Sequence, residues 1–305
     1  MQKETIGIVD KIQHFCIHDG DGIRTLVFLK GCDFRCPWCS NPESLSKQIE
    51  LAKNPNRCDN CGICIKACPQ KAIAEDLSLD KNLCDMCGEC VHYCPKDAWS
   101  FYGTGMMVKE VLAEVEKDRA FYNQSGGGVT ISGGECTMQG EFLFELLKAC
   151  KENSISTAIE SNANASSEVY KQLSEYVDLF LLDVKHMDST IHKKATGFGN
   201  DRVLSNIRML TFEMGKKLSI RYPLIPGFND SDENVLATVQ FASEIAKSGN
   251  LYKVNILPYH SLGASKYEIL GLNYTMSETK APTQDNIDRV IKAFEKEGLP
   301  VLQGG

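Results

Sequence analysis

The residues best equipped for chemistry are cysteines. The chain has 305 residues and fourteen cysteines, eleven of them between Cys32 and Cys94. Cys58-x2-Cys61-x2-Cys64-x3-Cys68-Pro69 recurs 26 residues later as Cys84-x2-Cys87-x2-Cys90-x3-Cys94-Pro95. This is the bacterial ferredoxin spacing, in which three thiolates of one run hold a 4Fe–4S cluster and the fourth crosses to the other. The spacing therefore assigns Cys58, Cys61, Cys64 and Cys94 to one cluster, and Cys84, Cys87, Cys90 and Cys68 to a second. Zinc takes four ligands per site and gives no reason for the same run, proline included, to appear twice. Disulfides suit short secreted chains; this chain is long, and its start, MQKETIGIVDKIQ, has no apolar run of signal-peptide length.

A third group precedes the repeat. Cys32-x3-Cys36-x2-Cys39, in GCDFRCPWCSN, supplies only three thiolates. A 4Fe–4S cluster held this way keeps one iron without a protein ligand, much as catalytic metal sites keep a coordination position free. Downstream, Ser132-Gly133-Gly134-Glu135 follows the apolar run VTIS. Its glycines allow close backbone approach to a ligand, and its carboxylate can accept from an ammonium group; a plain βα turn is the alternative. Asp183-Val184-Lys185 ends LFLLDVK, so Asp183 and Lys185 share one side of a strand end. That lysine, with Arg221 at the end of KLSIRY, offers cationic partners for a bound carboxylate, unless Lys185 and Asp183 simply pair with each other.

The elements that must position these groups read as repeated βα units. Apolar runs predict strands at Thr25–Phe28, Val129–Ser132, Ser156–Glu160, Leu179–Asp183, Leu218–Tyr222 and Lys253–Ile256. Amphipathic runs predict helices at Val108–Tyr122, Phe142–Glu152, Glu168–Glu175, Arg202–Glu213, Glu233–Lys247 and Gln284–Glu297. The fold class is α/β: a partial (β/α)6 TIM-like barrel (residues 1–52 and 101–305) with an inserted bacterial-ferredoxin-like domain (residues 53–100). The polar groups above lie at C-terminal strand ends, where such folds collect their chemistry. A net charge of −7 argues against nucleic acid, and no segment is apolar enough to span a bilayer. A soluble, cytoplasmic protein is expected.

The order HDGDGIRT, CxxxCxxC, two-cluster insert, SGGE, DVK, IRYPLIPGFND and LPYH covers nearly the whole chain. In this order the sequence resembles the radical S-adenosylmethionine superfamily and, within it, the activating enzymes of glycyl radical enzymes. The resemblance implies that Cys32, Cys36 and Cys39 hold a third 4Fe–4S cluster whose open iron chelates S-adenosylmethionine. Lys185 would assist catalysis. Ser132 to Glu135 would bind the cofactor's amino group, with Asp183, Lys185 and Arg221 beside its carboxylate, and Trp38, Asn41 and His260 as further neighbours. Glu160, Ser161 and Asp183 would form a monovalent-cation site.

The implied reaction is reductive cleavage of the cofactor to a 5′-deoxyadenosyl radical, which takes hydrogen from a glycine of a partner glycyl radical enzyme. The insert points to a dehydratase, lyase or decarboxylase as that partner. Flavodoxin or ferredoxin would donate the electron, and a monomer is expected. Two positions depart from the pattern: Asp21 and Cys136 stand where proline is usual. Cys16, Cys136 and Cys150 fit no cluster run and read as buried free thiols. The rivals are a radical enzyme acting on another peptide or a small molecule, and a ferredoxin-type electron carrier. The carrier leaves the three-cysteine loop and the βα units unexplained.

Overall fold

The computed structural model describes residues 4–304. Its strands in chain order are β1 (Ile6–Cys16), β2 (Arg24–Leu29), β3 (Glu50–Lys53), β4 (Trp99–Tyr102), β5 (Thr104–Met107), β6 (Gly128–Gly133), β7 (Ser156–Ser161), β8 (Leu179–Asp183), β9 (Leu218–Leu224), β10 (Leu251–Pro258) and β11 (Val301–Gln303). Nine of them form one sheet in the order β11-β10-β9-β8-β7-β6-β2-β1-β5. From β2 to β11 neighbouring strands run parallel. The six expected strands all form, each within two residues of its expected ends. They were legible because parallel strands covered on both faces read as unbroken apolar runs; every residue of β2 is buried.

Three members of the sheet were not foreseen. β1 and β5 pair antiparallel at one edge. The alternation of β1 is broken by register shifts between Val9 and Lys11 and between Gln13 and Cys16, with Phe15 at φ 62°. Such bulges move side chains to the other face and hide a period of two. β11 has three residues, too few for a pattern.

The sheet is curled. β2 and β9 stand four strands apart, about 19 Å in a flat sheet. Yet Lys217, just before β9, pairs with Asp21, just before β2, at 2.9 Å, and Arg221 Nη1 lies 3.8 Å from Asp19 Oδ1. The edge strands β11 and β5 do not pair with each other, so the barrel is incomplete.

Helices cover the strands with apolar stripes. Gly140–Glu152 buries Phe142, Leu143, Leu146, Leu147 and Cys150, a helical repeat, in the same core as Val129, Ile131 and Ile159. Each such side chain contributes about 1.5–3 kcal/mol when fully buried. Two expected helices differ. Val108–Tyr122 splits into Val108–Glu116 and Arg119–Ser125, because Asp118 turns inward to accept from Thr25 Oγ1 at 2.5 Å. Arg202–Glu213 becomes an α-helix, Asp201–Arg208, continued by a π-turn, Met209–Glu213. Helices Ser189–Thr196 and Ala264–Leu270 form where no element was predicted. Among the described residues no helix is long and apolar enough to cross a membrane.

The cysteine-rich insert springs from an antiparallel ribbon of β3 and β4, Glu50 opposite Tyr102. Its internal repeat is visible in the backbone. Positive φ recurs at the same 26-residue offset: Asn60 and Met86, Gly62 and Gly88, Lys71 and Asp97. The amides of Ala72 and Ala98 each donate to the thiol four residues back, Cys68 and Cys94, at 3.3 Å.

Candidate cluster and cofactor site

A cavity of about 250 Å³ opens at the C-terminal ends of the strands. Cys32, Cys36 and Cys39 all line it, with Trp38 and Asn41 from the same loop. Opposite stand Ser132, Gly133 and Gly134 at the end of β6, Glu160 and Ser161 of β7, Asp183 and Lys185 after β8, and Arg221 of β9. Trp38 packs on Phe228 with ring centroids 4.5 Å apart and shares an apolar cluster with Ile225 and Tyr259, which fixes the indole that lines the cavity.

The glycines are required by backbone proximity. Gly133 has φ 122°, and a Cβ there would lie 2.1 Å from the Leu29 carbonyl. At Gly134 a Cβ would meet the carbonyls of Gly31 and Ser44 at 2.4 and 2.5 Å. The cysteine loop is thus laid directly on the end of β6, and Glu135 N donates to Gly31 O at 2.7 Å.

Residues that sequence reasoning missed clamp the loop from β7. Asp33 accepts from Asn162 Nδ2 at 2.8 Å and from Asn164 Nδ2 at 2.7 Å. Arg35 N donates to Thr196 O at 2.9 Å. Asp33 sits between two ligand candidates, and that place in the cysteine loop was the available signal.

Glu135 departs from its expected role. It is 1% exposed and does not line the cavity. Its Oε1 accepts from Thr137 N at 3.1 Å, Thr137 Oγ1 at 2.7 Å and Ser161 Oγ at 2.8 Å, and its Oε2 from Asn162 N at 2.7 Å. Burial raises the carboxyl above its ordinary value, against the pull of these donors. With its acceptor sites filled, Glu135 braces β6 to β7, and the SGGE turn presents Ser132, Gly133 and Gly134 to the cavity instead.

Glu160, Ser161 and Asp183, expected around a cation, are each engaged by protein groups. Glu160 pairs with Arg221 and accepts from Ser132 Oγ. Asp183 accepts from Lys185 Nζ at 2.6 Å. Ser161 Oγ turns to Glu135 and to Tyr170, 2.6 Å away. The protein's own cations occupy the carboxylates. His260 is exposed and off the cavity, because Tyr259 takes the inward position and bonds Tyr274 Oη at 2.6 Å.

Charges within the cavity are coupled. Burial works against the charge of Lys185, but Asp183 and the Cys36 thiol outweigh it and hold the ammonium above its usual range. Burial lowers Arg221, opposed by Asp19. Asp21, where proline was expected, ties the loop before β2 to Lys217. Cys16, Cys136 and Cys150 are buried free thiols, with Cys136 Sγ donating to the Glu160 carbonyl at 3.3 Å.

In the insert, Cys58, Cys61, Cys64 and Cys94 line one small cavity with Leu77 and Trp99. The fourth cysteine of the second run therefore joins the first three of the first run. Gln70 Nε2 donates to Asp85 Oδ2 at 2.9 Å, which brings the segment after Cys68 against the start of the second run. Four thiols converging on one small hollow suit a 4Fe–4S cluster.

Residues 81–239 match the radical SAM superfamily model and residues 51–74 a 4Fe-4S binding domain. The superfamily match begins within the insert, at the second cysteine run, and reaches past β9; the three-cysteine loop lies upstream of it. The chain is 40% identical over 304 residues to the choline trimethylamine-lyase activating enzyme of Oleidesulfovibrio alaskensis, covering 98% of each. It is 41% identical over 302 residues to the trans-4-hydroxy-L-proline dehydratase activating enzyme of Clostridioides difficile, covering 98% of this chain and 99% of that one. The chain belongs to the activating enzymes of glycyl radical enzymes, within the radical SAM superfamily. Among solved structures, a domain of pyruvate-formate lyase-activating enzyme from Bacteroides vulgatus superposes with a TM-score of 0.50 at 29% identity, over 59% of this activating enzyme and 99% of that chain. The activating enzyme accordingly cleaves S-adenosylmethionine with the help of 4Fe–4S chemistry to activate a partner enzyme.

Proposed function

We propose that this activating enzyme carries three 4Fe–4S clusters, and that the cavity beside Cys32, Cys36 and Cys39 is where S-adenosylmethionine is cleaved. The observation that carries this is the convergence of those three cysteines with Lys185, Asp183 and the Ser132–Gly134 turn on one cavity. When bound there, cluster and cofactor supply a one-electron reduction that breaks the S–C5′ bond, yielding the radical that takes a glycine hydrogen.

The chain's own residues hold and orient. Cys32, Cys36 and Cys39 leave one coordination position open. Ser132, Gly133 and Gly134 line the cavity, and the lack of a Cβ at the two glycines lets the cysteine loop lie directly against this turn. Asp19, Glu160 and Asp183 face Lys185 and Arg221, and thiolates at Cys32, Cys36 and Cys39 add to the negative charge. S-adenosylmethionine, with an ammonium, a sulfonium and a carboxylate, is complementary to that charge. Trp38, held by Phe228 and Tyr259, lines one side.

The partner is a glycyl radical enzyme of the dehydratase, lyase or decarboxylase classes. Near-equal identity to activators of a lyase and of a dehydratase supports that range without selecting within it. Flavodoxin or ferredoxin supplies the electron. The test is anaerobic reconstitution followed by iron counting and assay of 5′-deoxyadenosine, with Cys36→Ala alongside. About twelve irons per chain and product from wild type alone support the reading. About eight irons without product would return the chain to an electron-carrier role.

A further inference from the structure

The three-cysteine loop is gripped from outside the cavity by the helix Ala264–Leu270. Lys266 Nζ donates to the Ser40 carbonyl at 3.1 Å, to Asn41 Oδ1 at 3.0 Å and to Glu43 Oε1 at 2.5 Å. These contacts use all three of its donors. Tyr267 Oη donates to the Cys39 carbonyl at 3.1 Å. The approach is close: a Cβ on Gly263 would stand 2.8 Å from Ser40 O.

The grip continues into the insert. Glu43 is 4% exposed, and its second oxygen, Oε2, has no partner. Its carbonyl accepts from Lys30 Nζ, and Lys30, fully buried, pairs with Glu50 at 3.1 Å. Glu50 opens β3, the first strand of the insert ribbon. The helix itself packs on both the Pro42–Ser44 turn and β3. A buried charge junction therefore joins the cluster loop, the end of β2, the insert ribbon and the C-terminal part of the chain. Lys266 is the member that touches the loop.

We propose that Lys266 is a positioning residue for the open cluster and its cofactor: it fixes the Cys39–Asn41 corner of the loop and, through Glu43 and Lys30, references that corner to the insert. The proposal rests on Cys32, Cys36 and Cys39 being the ligands of an open cluster. Removing Lys266 leaves the buried Glu43 carboxylate uncompensated and Asn41 free to turn. The effect is local to one corner of one cluster loop.

The test uses the full chain reconstituted anaerobically, as wild type, Lys266→Met, Lys266→Arg and Tyr267→Phe. The readouts are the electron paramagnetic resonance spectrum of the reduced protein, with and without S-adenosylmethionine, and equilibrium dialysis of the cofactor. Lys266→Met is expected to keep the insert-cluster signals, to lose the cofactor-induced spectral change, and to bind the cofactor about tenfold more weakly, the scale of a charged hydrogen bond. Lys266→Arg restores part of both, and Tyr267→Phe shifts both less and in the same direction. Wild-type binding and spectra in Lys266→Met would overturn the proposal. So would an equal loss of all cluster signals, since that marks a fold-wide role. Should Lys266→Met fail to accumulate, Tyr267→Phe removes a single hydroxyl and decides by the same readouts. No cofactor-induced change in wild type would instead overturn the open-cluster reading itself.

Discussion

Replacing Glu135 by alanine separates a brace from a ligand contact. The carboxylate accepts from two backbone amides, Thr137 N and Asn162 N, and from the hydroxyls of Thr137 and Ser161. The hydroxyls can rotate toward other acceptors, and Ser161 already contacts Tyr170. The two amides cannot. Each buried amide left unpaired costs about 1–3 kcal/mol, so the loss is about 2–6 kcal/mol. Burial already raises the Glu135 carboxyl, so removing it also relieves a desolvation penalty, and the lower part of that range, about 2–3 kcal/mol, is expected. For a domain this large that lowers the melting temperature by roughly 3–5 °C. Anaerobic melting followed by far-ultraviolet circular dichroism measures it. Below the transition, S-adenosylmethionine binding should change little, because the side chain does not face the cavity. Glu135→Gln keeps one acceptor and inverts another contact, so it should fall between alanine and wild type. An unchanged melting temperature together with abolished cofactor binding would refute this reasoning and return Glu135 to the cofactor.

Gly134→Ala places a Cβ against two backbone carbonyls on the cysteine loop, which must then move; the expected result is loss of about four irons and retention of about eight, and full iron content would contradict it. Asp33→Ala leaves the side-chain amides of Asn162 and Asn164 without their acceptor, a cost of about 2–3 kcal/mol confined to the loop; chelators should then strip the open cluster faster, and an unchanged stripping rate would show the clamp to be idle. Burial pushes the Asp178 carboxyl up, but Lys151 and the Thr157 amide outweigh it and hold it below the ordinary carboxylate value. Its contribution is therefore present above the unfolded value of about 3.9 and lost as pH falls through the folded one. The stability gap between wild type and Asp178→Asn should be constant from about pH 6 to pH 5 and close below about pH 4; a gap that widens with acid has the wrong sign.

What the sequence determined by itself is what depends on near neighbours. Cysteine spacing within each run, the 26-residue repeat and the unbroken apolar runs of β2, β6, β7, β8, β9 and β10 are local patterns, and each survives intact in the structure. Local pattern also placed Asp183 and Lys185 together, two residues apart at one strand end. It failed where bulges break the alternation in β1 and where three residues are too few to show a period in β11. Tertiary structure alone decided which way the strand-end side chains face. Glu135 could have pointed into the cavity; the register of β6 on β7 aims it at Ser161 and Asn162 instead, 26 and 27 residues away. The pairing of Glu160 with Arg221 links residues 61 apart and engages a carboxylate that the family resemblance had assigned to a cation. Asp33 reaches Asn162 across 129 residues, and Lys266 reaches Asn41 across 225. No periodicity encodes such pairs, because they exist only once the sheet has curled far enough to bring the end of β10 over the loop after β2.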